Sequence, residues 1–417
     1  MKHCVVIGGG VVGLTTAWAL LARGHAVTLL ERDDAVAQGA SRANGGQLSY
    51  RYVSPLADAG VPLKALRWLL DPDGPLRFKP QVSWAQWSWL IAFLRNCRGP
   101  VNRRTTERLL ALGAYSQASF AQLCAQAELN GLDEGIALRT PGKLVVYRKP
   151  AEFKQAASRA GNAEQALSHD DCVALEPALA DTEATLCGGI FTPGEAVADC
   201  HAFCQQLFTR LSAHERFRGR LALPALGFQR DATGAVTGVQ TALGKVEADA
   251  VILAAGLHSR ALATTAGVGL PLYPLKGYSL TAPIAAGHRP PEVSVTDFEK
   301  KILYARIGRE LRVAAMADLV GDDVSLDAGR LASLQRSVRA TFPHAADYDR
   351  ATPWAGLRPA TPSGAPILGV SGVPGLWLNV GHGALGFTFS FATANIVAEL
   401  VSGRASPLPL QGLSLVG

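Results

Sequence analysis

The fold is decided by the stretch KHCVVIGGGVVGLTTAWALLARGHAVTLLE, residues 2–31. The β-branched run at residues 5–7 is typical of a buried parallel strand, and residues 14–23 have the composition of a helix that packs on it and ends before Gly24. A second strand at residues 27–30 leads to Glu31. This order of strand, glycine-rich turn, helix and strand predicts a βαβ unit of the Rossmann kind.

Each glycine of the G-x-G-x-x-G turn has a separate expected role. Gly8 allows the tight turn, Gly10 lets a pyrophosphate approach the backbone, and Gly13 lets the helix pack closely on the strand. The first amides of the helix favour phosphate, and Glu31 can accept a hydrogen bond from a ribose hydroxyl. The motif predicts a dinucleotide site but does not distinguish FAD from NAD, and an ordinary glycine-rich turn is the alternative.

Length, composition and net charge limit the number of domains and the kinds of partner that this protein can have. The chain has 417 residues, of which 48% are hydrophobic and 18% charged, with a formal net charge of +6. This length predicts two or three domains. Lysine and arginine are scattered, so the charge indicates no nucleic-acid partner. It favours an anionic cofactor and a carboxylate substrate, with simple solubility as the alternative.

The seven cysteines form an odd set without a C-x-x-C pair, which predicts reduced thiols in a cytoplasmic protein. Cys200 and Cys204 are one helical turn apart and could bind a metal together with His201. A packing face of a helix is the favoured interpretation, so we expect no metal.

The first residues do not form a secretory signal, because three glycines interrupt the apolar run, and we expect no segment of spanning length. Residues 84–94 are rich in aromatic and aliphatic side chains and have Lys79, Arg95 and Arg98 on their flanks. This segment is either an interfacial membrane contact or a core helix. The predicted location is the cytoplasm, with peripheral contact at the inner face of the cytoplasmic membrane as an option.

The remaining pattern returns the chain to its first sheet twice. Residues 250–256 resemble a buried parallel strand that ends in a glycine, and residues 376–400 repeat the order of strand, glycine turn and helix. Residues 219–226, 236–240 and 245–248 predict a meander of strands. Residues 271–342 predict an antiparallel sheet and a helix that form the floor of a substrate chamber.

Several segments together carry a family resemblance. Beside the glycine turn these are SRANGGQ at 41–47, GVPLKAL at 60–66, YPLKGYSLT at 273–281, WAGLRP at 354–359 and NVGHGALG at 379–386. The chain resembles the small subunit of bacterial D-amino acid dehydrogenases, within the wider group of D-amino acid oxidase and glycine oxidase flavoproteins. The resemblance covers nearly the whole chain.

The resemblance implies an α/β fold. A discontinuous Rossmann-like FAD-binding domain comprises residues 1–52, 196–268 and 353–417, and a substrate domain with a mixed or antiparallel sheet comprises residues 53–195 and 269–352. FAD is expected to be non-covalent, because relatives that attach it use a cysteine in the C-terminal region and none follows Cys204. Ser363, where relatives often have aspartate, and Tyr50–Arg51 depart from the family pattern, and the second departure leaves the substrate size open.

The implied reaction is the oxidative deamination of D-amino acids to 2-oxo acids and ammonia. Hydride passes from Cα to flavin N5, and the electrons go on to a quinone or another acceptor. Alternatives are an oxidase that uses oxygen, a D-proline or D-hydroxyproline dehydrogenase of the same family, an NAD-linked dehydrogenase, and a catalytically silent flavoprotein adaptor.

Five residues are candidates for the active site. The candidate catalytic residues are Arg358, Tyr278 and His382, and the candidate substrate-binding residues are Arg358, Tyr278, Tyr52 and Lys276. Arg358 can pair with the substrate carboxylate through a two-pronged fork or serve in a structural salt bridge. Tyr278 can donate to the same carboxylate or pack in the core. His382 can add to the field at the helix start or, as we favour, pack in the turn. Tyr52 and Lys276 are weaker candidates for lining the chamber.

The candidate cofactor residues belong to the glycine turn, the second strand, the small-residue loop, the middle of the chain and the C-terminal turn. They are Gly8, Gly9, Gly10, Val11, Val12, Gly13, Glu31, Arg32, Ala40, Ser41, Asn44, Gly45, Gly46, Gln47, Leu48, Leu226, Ala255, Gly256, Gly381, Gly383, Ala384, Leu385, Gly386 and Thr388.

Overall fold

A computed structural model describes residues 1–71, 73–183 and 185–416. Residues 72, 184 and 417, which the predicted domain ranges also cover, lie outside the described residues. The strands are β1 (His3–Ile7), β2 (Ala26–Glu31), β3 (Gln47–Leu48), β4 (Leu76–Phe78), β5 (Lys143–Tyr147), β6 (Gln165–Ser168), β7 (Gly188–Thr192), β8 (Ala196–Val197), β9 (Phe217–Ala222), β10 (Ala225–Arg230), β11 (Val236–Thr241), β12 (Gly244–Glu247), β13 (Ala250–Leu253), β14 (Tyr273–Pro283), β15 (Ser294–Asp297), β16 (Ile302–Ile307), β17 (Glu310–Leu319), β18 (Thr352–Ala360), β19 (Ile367–Val370) and β20 (Leu376–Val380).

The α-helices are α1 (Val11–Leu21), α2 (Val61–Leu70), α3 (Trp84–Asn96), α4 (Gly99–Cys124), α5 (Leu132–Gly135), α6 (Pro150–Ala157), α7 (His169–Leu175), α8 (Cys200–Ala213), α9 (Ser259–Thr265), α10 (Ala328–Thr341) and α11 (Gly386–Val401).

The first sheet has the strand order β19-β20-β13-β1-β2-β9. Its strands are parallel except for β19, which is antiparallel to β20. The register pairs Val5 with both Thr28 and Val251, so the three predicted apolar strands lie side by side. Apolar runs of this kind are buried on both faces because helices cover a parallel sheet. The chain leaves this sheet and returns to it, so the nucleotide-binding part is discontinuous.

The second large sheet is mixed and follows the order β18-β14-β17-β16-β15-β5-β7-β6, with β4 also paired to β17. Most pairs are antiparallel, whereas β15 is parallel to β5 and β4 is parallel to β17. Helix α10 covers one face, where Leu334 and Val338 pack in the same apolar cluster as Val313. This arrangement confirms the predicted sheet and helix within residues 271–342.

Two strands pair differently from the expectation. β9 joins the first sheet beside β2, so only β10, β11 and β12 form the predicted meander. β18, which was placed with the FAD-binding residues, pairs along its whole length with β14 of the second sheet. Backbone hydrogen bonding decides both placements, and neither partner is adjacent along the chain.

The expectation that no segment reaches spanning length was wrong for one helix. Residues 383–401 are long and apolar enough by length and composition, but 67% of them are buried inside the protein. Helix α11 packs against α1 and α4, and its Phe387 and Phe391 lie in the main apolar cluster. This helix is therefore part of the core.

Candidate active site

One large cavity lies between the two main sheets. Its volume is about 2610 Å³, compared with about 300–1,000 Å³ for an ordinary ligand pocket. One end is lined by the turn after β1 and the carboxyl ends of β2, β13 and β20, and the other by the second sheet. The carboxyl ends of parallel strands are where open α/β sheets bind ligands.

The glycine turn has the geometry that the sequence predicted. Gly8 has a φ of +113°, and a Cβ there would lie 2.5 Å from the Ala254 carbonyl oxygen. A Cβ at Gly13 would lie 1.8 Å from the Gly8 carbonyl oxygen, so only glycine lets α1 approach β1 this closely. At Gly10 the nearest atom to an added Cβ is Ser41 Oγ at 3.3 Å. The bare backbone of Gly10 therefore faces the cavity, which a side chain would fill.

Glu31 and Ser41 complete this end of the cavity. Glu31 Oε2 accepts a hydrogen bond from the Gly9 amide at 2.5 Å, and Oε1 accepts one from the Asp33 amide at 3.1 Å. The Val11 amide at the start of α1 donates to Ser41 Oγ at 3.0 Å. Glu31 and Ser41 both line the cavity, so a carboxylate and a hydroxyl lie beside the helix start.

The small-residue loop crosses the cavity face of the second sheet. The Ala43 carbonyl accepts from Ser279 on β14, and the Asn44 carbonyl accepts from Arg312 on β17, both at 2.8 Å. Lys143 Nζ on β5 donates to Gln47 Oε1 at 2.7 Å. The loop is thus held against three strands, at the edge of the cavity between the two sheets.

The C-terminal turn brings a second helix start to the cavity. Gly381 and Gly383 have positive φ values, and residues 381–387 line the cavity just before and at the first turn of α11. The partial positive charge of that helix end is therefore directed at the cavity. This is the second terminus that the sequence predicted.

His382 has a structural role. Its ring is 4% exposed, and Nε2 lies 3.0 Å from Thr393 Oγ1 on α11. Burial lowers the pKa of His382 to about 3, so the imidazole is neutral and adds no positive charge. The packing interpretation fits this geometry, and the catalytic assignment of His382 was wrong.

Most of the candidate cofactor residues line the cavity, and four do not. Gly9 and Gly13 belong to the glycine turn but lie on its side away from the cavity. Leu48 is fully buried, and the Thr388 hydroxyl accepts a hydrogen bond from the Ser49 amide at 3.1 Å. The cavity is lined by Gly8, Gly10, Val11, Val12, Glu31, Arg32, Ala40, Ser41, Asn44, Gly45, Gly46, Gln47, Leu226, Ala255, Gly256, Gly381, Gly383, Ala384, Leu385 and Gly386.

Arg358 lies on the cavity face of β18. Its guanidinium covers Gly277 on the neighbouring strand, and a Cβ at Gly277 would lie 2.3 Å from Arg358 Nη2. Nη1 donates to the Met316 carbonyl at 2.7 Å. Burial lowers the pKa of Arg358 from its ordinary value, while Asp318 raises it. The structure records no carboxylate bonded to this guanidinium within the described residues, so the salt-bridge alternative is not supported.

The carbonyl that orients Arg358 depends on a local irregularity in β17. Met316 has a φ of +68°, and the pairing of β14 with β17 shifts register between Lys276 and Tyr278. A bulge of this kind turns one residue out of the ladder. Its carbonyl accepts from Arg358 and not from the neighbouring strand, at the cost of a left-handed backbone that is uncommon for methionine.

Tyr278 does not join Arg358. The register pairs Leu275 with Arg358 and Tyr278 with Ala355, so the side chains of Arg358 and Tyr278 point to opposite faces of the sheet. Tyr278 is 2% exposed and packs in the apolar cluster beneath α10. Tyr278 borders the cavity, but strand alternation directs its side chain away from Arg358, so the geometry does not support the prediction that both residues bind one carboxylate.

Lys276 also lies on the far face. Its side chain is 1% exposed, and Nζ contacts Asp323 Oδ2 at 3.1 Å and the ring of Tyr278 at 5.2 Å. The Lys276 side chain does not line the cavity within the described residues. Its placement in the chamber was therefore wrong for the same reason of strand alternation.

Tyr52 does line the chamber, beside a lysine that the sequence analysis missed. Lys143 Nζ lies 4.2 Å from the centre of the Tyr52 ring and donates to Ser49 Oγ at 3.1 Å. Burial lowers the pKa of Lys143 to about 8, while nearby Glu195 raises it. Glu195 accepts from the Arg51 amide at 2.8 Å, so the two buried charges hold the segment around Tyr52 from both sides.

Lys143, Met316 and Lys301 are cavity residues without a strong sequence signal. A lysine at the start of the apolar strand LVVY was a weak indication of the first. The bulge at Met316 arises from the register between distant strands, and Lys301 reaches the cavity from the turn between β15 and β16 because that hairpin pairs with β17. Local patterns do not encode that register.

Cys200 and Cys204, for which a helix packing face was favoured over a metal site, lie on α8. Both thiols are buried in the main apolar cluster, and burial raises the pKa of Cys204 well above its ordinary value. Thiols in this environment are poor metal ligands, because a metal binds the thiolate. The geometry agrees with a packing face.

These residues fit FAD. The bare backbone at Gly10, the acidic group of Glu31 and the start of α1 suit an adenosine diphosphate, and the start of α11 supplies a second positive end. The cavity continues from both helix ends into the chamber below Arg358. One elongated ligand can therefore occupy both parts and present its ring to the chamber.

Comparisons with known proteins agree with this interpretation. The chain is 48% identical to D-amino acid dehydrogenase 2 of Pseudomonas aeruginosa over 99% of its length and 98% of that relative. It is 46% identical to D-amino acid dehydrogenase 2 of Ralstonia nicotianae, with 96% of each chain covered.

Among solved structures, glycine oxidase from Geobacillus kaustophilus superposes with a TM-score of 0.76 at 20% identity and covers 100% and 99% of the two chains. L-proline dehydrogenase from P. horikoshii gives a TM-score of 0.74 at 16% identity, with 99% and 96% covered. At this identity both share the fold alone. Residues 3–400 match the DAO family, described as FAD dependent oxidoreductase, and the chain belongs to that family of FAD-binding oxidoreductases.

Proposed function

We propose that this protein is an FAD-dependent D-amino acid dehydrogenase. It converts a D-amino acid to the imino acid, which water hydrolyses to a 2-oxo acid and ammonia. The relatives that cover almost the whole chain at 46–48% identity carry that name. The fold alone would not select this substrate, because similar structures include L-amino acid deaminases and an L-proline dehydrogenase.

The observation that carries the proposal is the position of Arg358 on the chamber side of the second sheet. The guanidinium is held by the Met316 carbonyl and lies over Gly277, so its remaining N–H groups are available to a carboxylate. A planar fork binds a carboxylate through two parallel hydrogen bonds and fixes its orientation. An amino acid bound in this way has a defined direction for its Cα.

When FAD is bound, it supplies a hydride acceptor for the hydrogen on the substrate Cα. The protein's contribution is positioning, because Arg358 fixes the carboxylate and the apolar walls around Leu303 and Met316 exclude water. The start of α11 is directed at the cavity and favours negative charge there. His382 is not assigned as the base for the substrate amine, because burial lowers its pKa to about 3 and its Nε2 is already bonded to Thr393. The amine is therefore proposed to lose its proton to solvent before the chamber closes around the substrate.

The acceptor is proposed to be a membrane quinone. Trp87, Ile91 and Leu94 of α3 are exposed and also line the cavity, so this edge of the chamber opens at an apolar surface. We call these three residues the α3 patch. Arg95 and Arg98 are exposed next to it. An apolar surface beside basic groups suits the interface of an anionic bilayer.

The other face of α3 is buried, as the core alternative required. Trp89 donates from Nε1 to the Ala360 carbonyl at 2.9 Å and lies 5.7 Å from the ring of Tyr273. The helix is thus fixed to β14 and β18 while the α3 patch remains open. On this basis we propose a cytoplasmic protein with peripheral membrane contact.

The test is anaerobic bleaching of the bound flavin by paired D- and L-amino acids. The proposal predicts that D-alanine and D-proline reduce the bound flavin and that L-alanine and L-proline do not. A soluble quinone should then reoxidise it faster than oxygen, and little peroxide should form. Rapid peroxide formation would favour an oxidase, and failure of every amino acid would favour a catalytically silent flavoprotein.

A further inference from the structure

Lys301 is a charged residue in the chamber whose ammonium has no anionic partner among the described residues. It lies in the turn between β15 and β16 and lines the cavity, with Nζ 3.6 Å from the centre of the Phe298 ring. Its φ of +55° belongs to the tight turn of the β15–β16 hairpin, in which Asp297 pairs with Ile302.

The acidic groups around Lys301 are already engaged. The Glu152 carboxylate forms an ion pair with Lys64 at 2.9 Å. The Asp297 carboxylate forms one with Arg148 at 2.7 Å. The Glu299 carboxylate accepts a hydrogen bond from the Lys149 amide at 3.2 Å. Burial and the nearby Lys64 lower the pKa of Lys301 to about 8, while these carboxylates raise it. The ammonium is therefore a charge inside the cavity for which the protein itself supplies only an aromatic ring.

The register places the backbone of Lys301 in the same row of the second sheet as the strand residue beneath Arg358. Ile302 pairs with Ala315, and Ala315 pairs with Tyr278, so Lys301 lies in the row that contains Met316 and Gly277. The Arg358 guanidinium lies over Gly277. Two strand spacings separate Gly277 from Lys301, which is about 10 Å.

Arg358 and Lys301 line the same cavity, so a ligand that binds both cations needs an anionic group at each end. A short dicarboxylate meets this requirement. Its side-chain carboxylate would pass Met316 and reach the ammonium beside Phe298.

We propose that Lys301 is a specificity-determining residue that binds the side-chain carboxylate of an acidic D-amino acid, aspartate or glutamate, while Arg358 binds its α-carboxylate. This inference rests on the proposed D-amino acid dehydrogenase activity. A neutral amide of the same shape loses the charge pairing, and a cationic side chain is repelled. Short substrates such as D-alanine do not reach Lys301 and are indifferent to it.

The experiment compares kcat/KM for D-glutamate and D-glutamine, which differ in charge and hardly in shape. We expect a ratio above about 10 in the wild type, the factor for about 1.4 kcal/mol. Lys301→Met should bring the ratio to about 1, and Lys301→Glu should invert it and admit D-lysine. D-Alanine should change by less than about twofold in both variants. The control variant is Lys245→Met, since Lys245 is an exposed lysine paired with Glu247 on β12.

The wild-type ratio should also fall as the pH rises through about 8, because Lys301 then loses its charge. Lys301→Met should show no such step. A ratio at or below 1 in the wild type, or an unchanged ratio in Lys301→Met, would overturn the proposal. Thermal unfolding of both variants separates these outcomes from a folding defect.

Binding without turnover keeps this inference separate from the proposed function. Glutarate and valerate have the same chain length, but only glutarate has a carboxylate at each end. Perturbation of the flavin spectrum of the holoenzyme gives both dissociation constants. Tighter binding of glutarate by about tenfold, lost in Lys301→Met, supports the two-cation site even if no D-amino acid is oxidised. Equal binding of the two acids contradicts it.

Discussion

The guanidinium of Arg358 lies directly over Gly277, and a single methyl group at position 277 would come within 2.3 Å of Nη2. This close contact is possible because β14 and β18 pair Gly277 with Gly356 and place both on the chamber side. The Arg358 guanidinium is thus held from below by a residue without a side chain. Its direction is set from the side by the Met316 carbonyl.

Gly277→Ala should therefore displace Arg358 without removing it. We expect KM for the amino acid to rise at least about tenfold, or about 1.4 kcal/mol, with the protein still yellow. Steady-state kinetics and the flavin absorbance measure the two effects. Gly269→Ala is the matched control, because a Cβ there has no neighbour within 4 Å. A normal KM in Gly277→Ala would show that Arg358 does not bind substrate in this position.

Arg358→Ala should raise KM by about 100-fold or more, because loss of a buried charge pair costs about 2–5 kcal/mol. Arg358→Lys should recover only part of this effect, since an ammonium lacks the planar fork. Flavin content should be unchanged in both variants. Arg336→Ala removes an exposed arginine paired with Asp73 and should behave as wild type. Intact kinetics in Arg358→Ala would refute the carboxylate assignment.

Gly10→Val should yield a folded protein that does not retain FAD. The added Cβ would meet only Ser41 Oγ at 3.3 Å, so the fold accommodates it, but the side chain occupies the space of the pyrophosphate. Absorbance near 450 nm, circular dichroism and thermal unfolding test this prediction. Gly13→Ala is the contrasting variant, because its Cβ would lie 1.8 Å from the Gly8 carbonyl oxygen and should destabilise the fold itself. A yellow Gly10→Val protein would contradict the site.

His382→Gln should reduce the loss of stability in acid. The pKa of His382 is about 3 in the folded protein and about 6.5 in an unfolded chain. Below about pH 6.5 the unfolded state binds the extra proton, so stability falls as the pH falls, by up to about 1.4 kcal/mol per unit. Denaturant unfolding from pH 7.5 to 4.5 measures this slope. An identical slope in wild type and His382→Gln would show that the histidine is not buried as a neutral ring.

Removal of the α3 patch should weaken membrane binding but not the chemistry. In a variant with Trp87, Ile91 and Leu94 each replaced by serine, we expect weaker sedimentation with anionic vesicles and slower reduction of a vesicle-bound quinone. Reduction of a soluble dye should remain normal. Leu243→Ser, at an exposed site on the turn after β11, is the control. Equal vesicle binding by all three proteins would exclude the α3 patch as the contact surface.

The nucleotide end of the site could be predicted because its chemistry is local. Gly8, Gly10, Gly13 and Glu31 lie within one βαβ unit, and the helix and strands that position them are determined by periodicity over a few residues. The turn before α11 was predictable for the same reason.

The chamber could be predicted only in part. Arg358 was recognised in the segment WAGLRP, but its neighbours depend on how β18 pairs with β14 and β14 with β17. Strand alternation moves Tyr278 and Lys276 to the far face, and the bulge at Met316 shifts the register by one residue. Lys143 enters the chamber from β5 and Lys301 from the turn between β15 and β16, and both are distant in sequence from β18.

The amino-acid sequence by itself determined the dinucleotide cradle, the two helix ends directed at it and the arginine that we propose binds the substrate. Only the tertiary structure decided which side chains accompany that arginine, because a one-residue difference in register reverses the face on which every side chain of a strand lies. That register is set by backbone pairing between segments far apart in the chain, and local sequence patterns do not predict it.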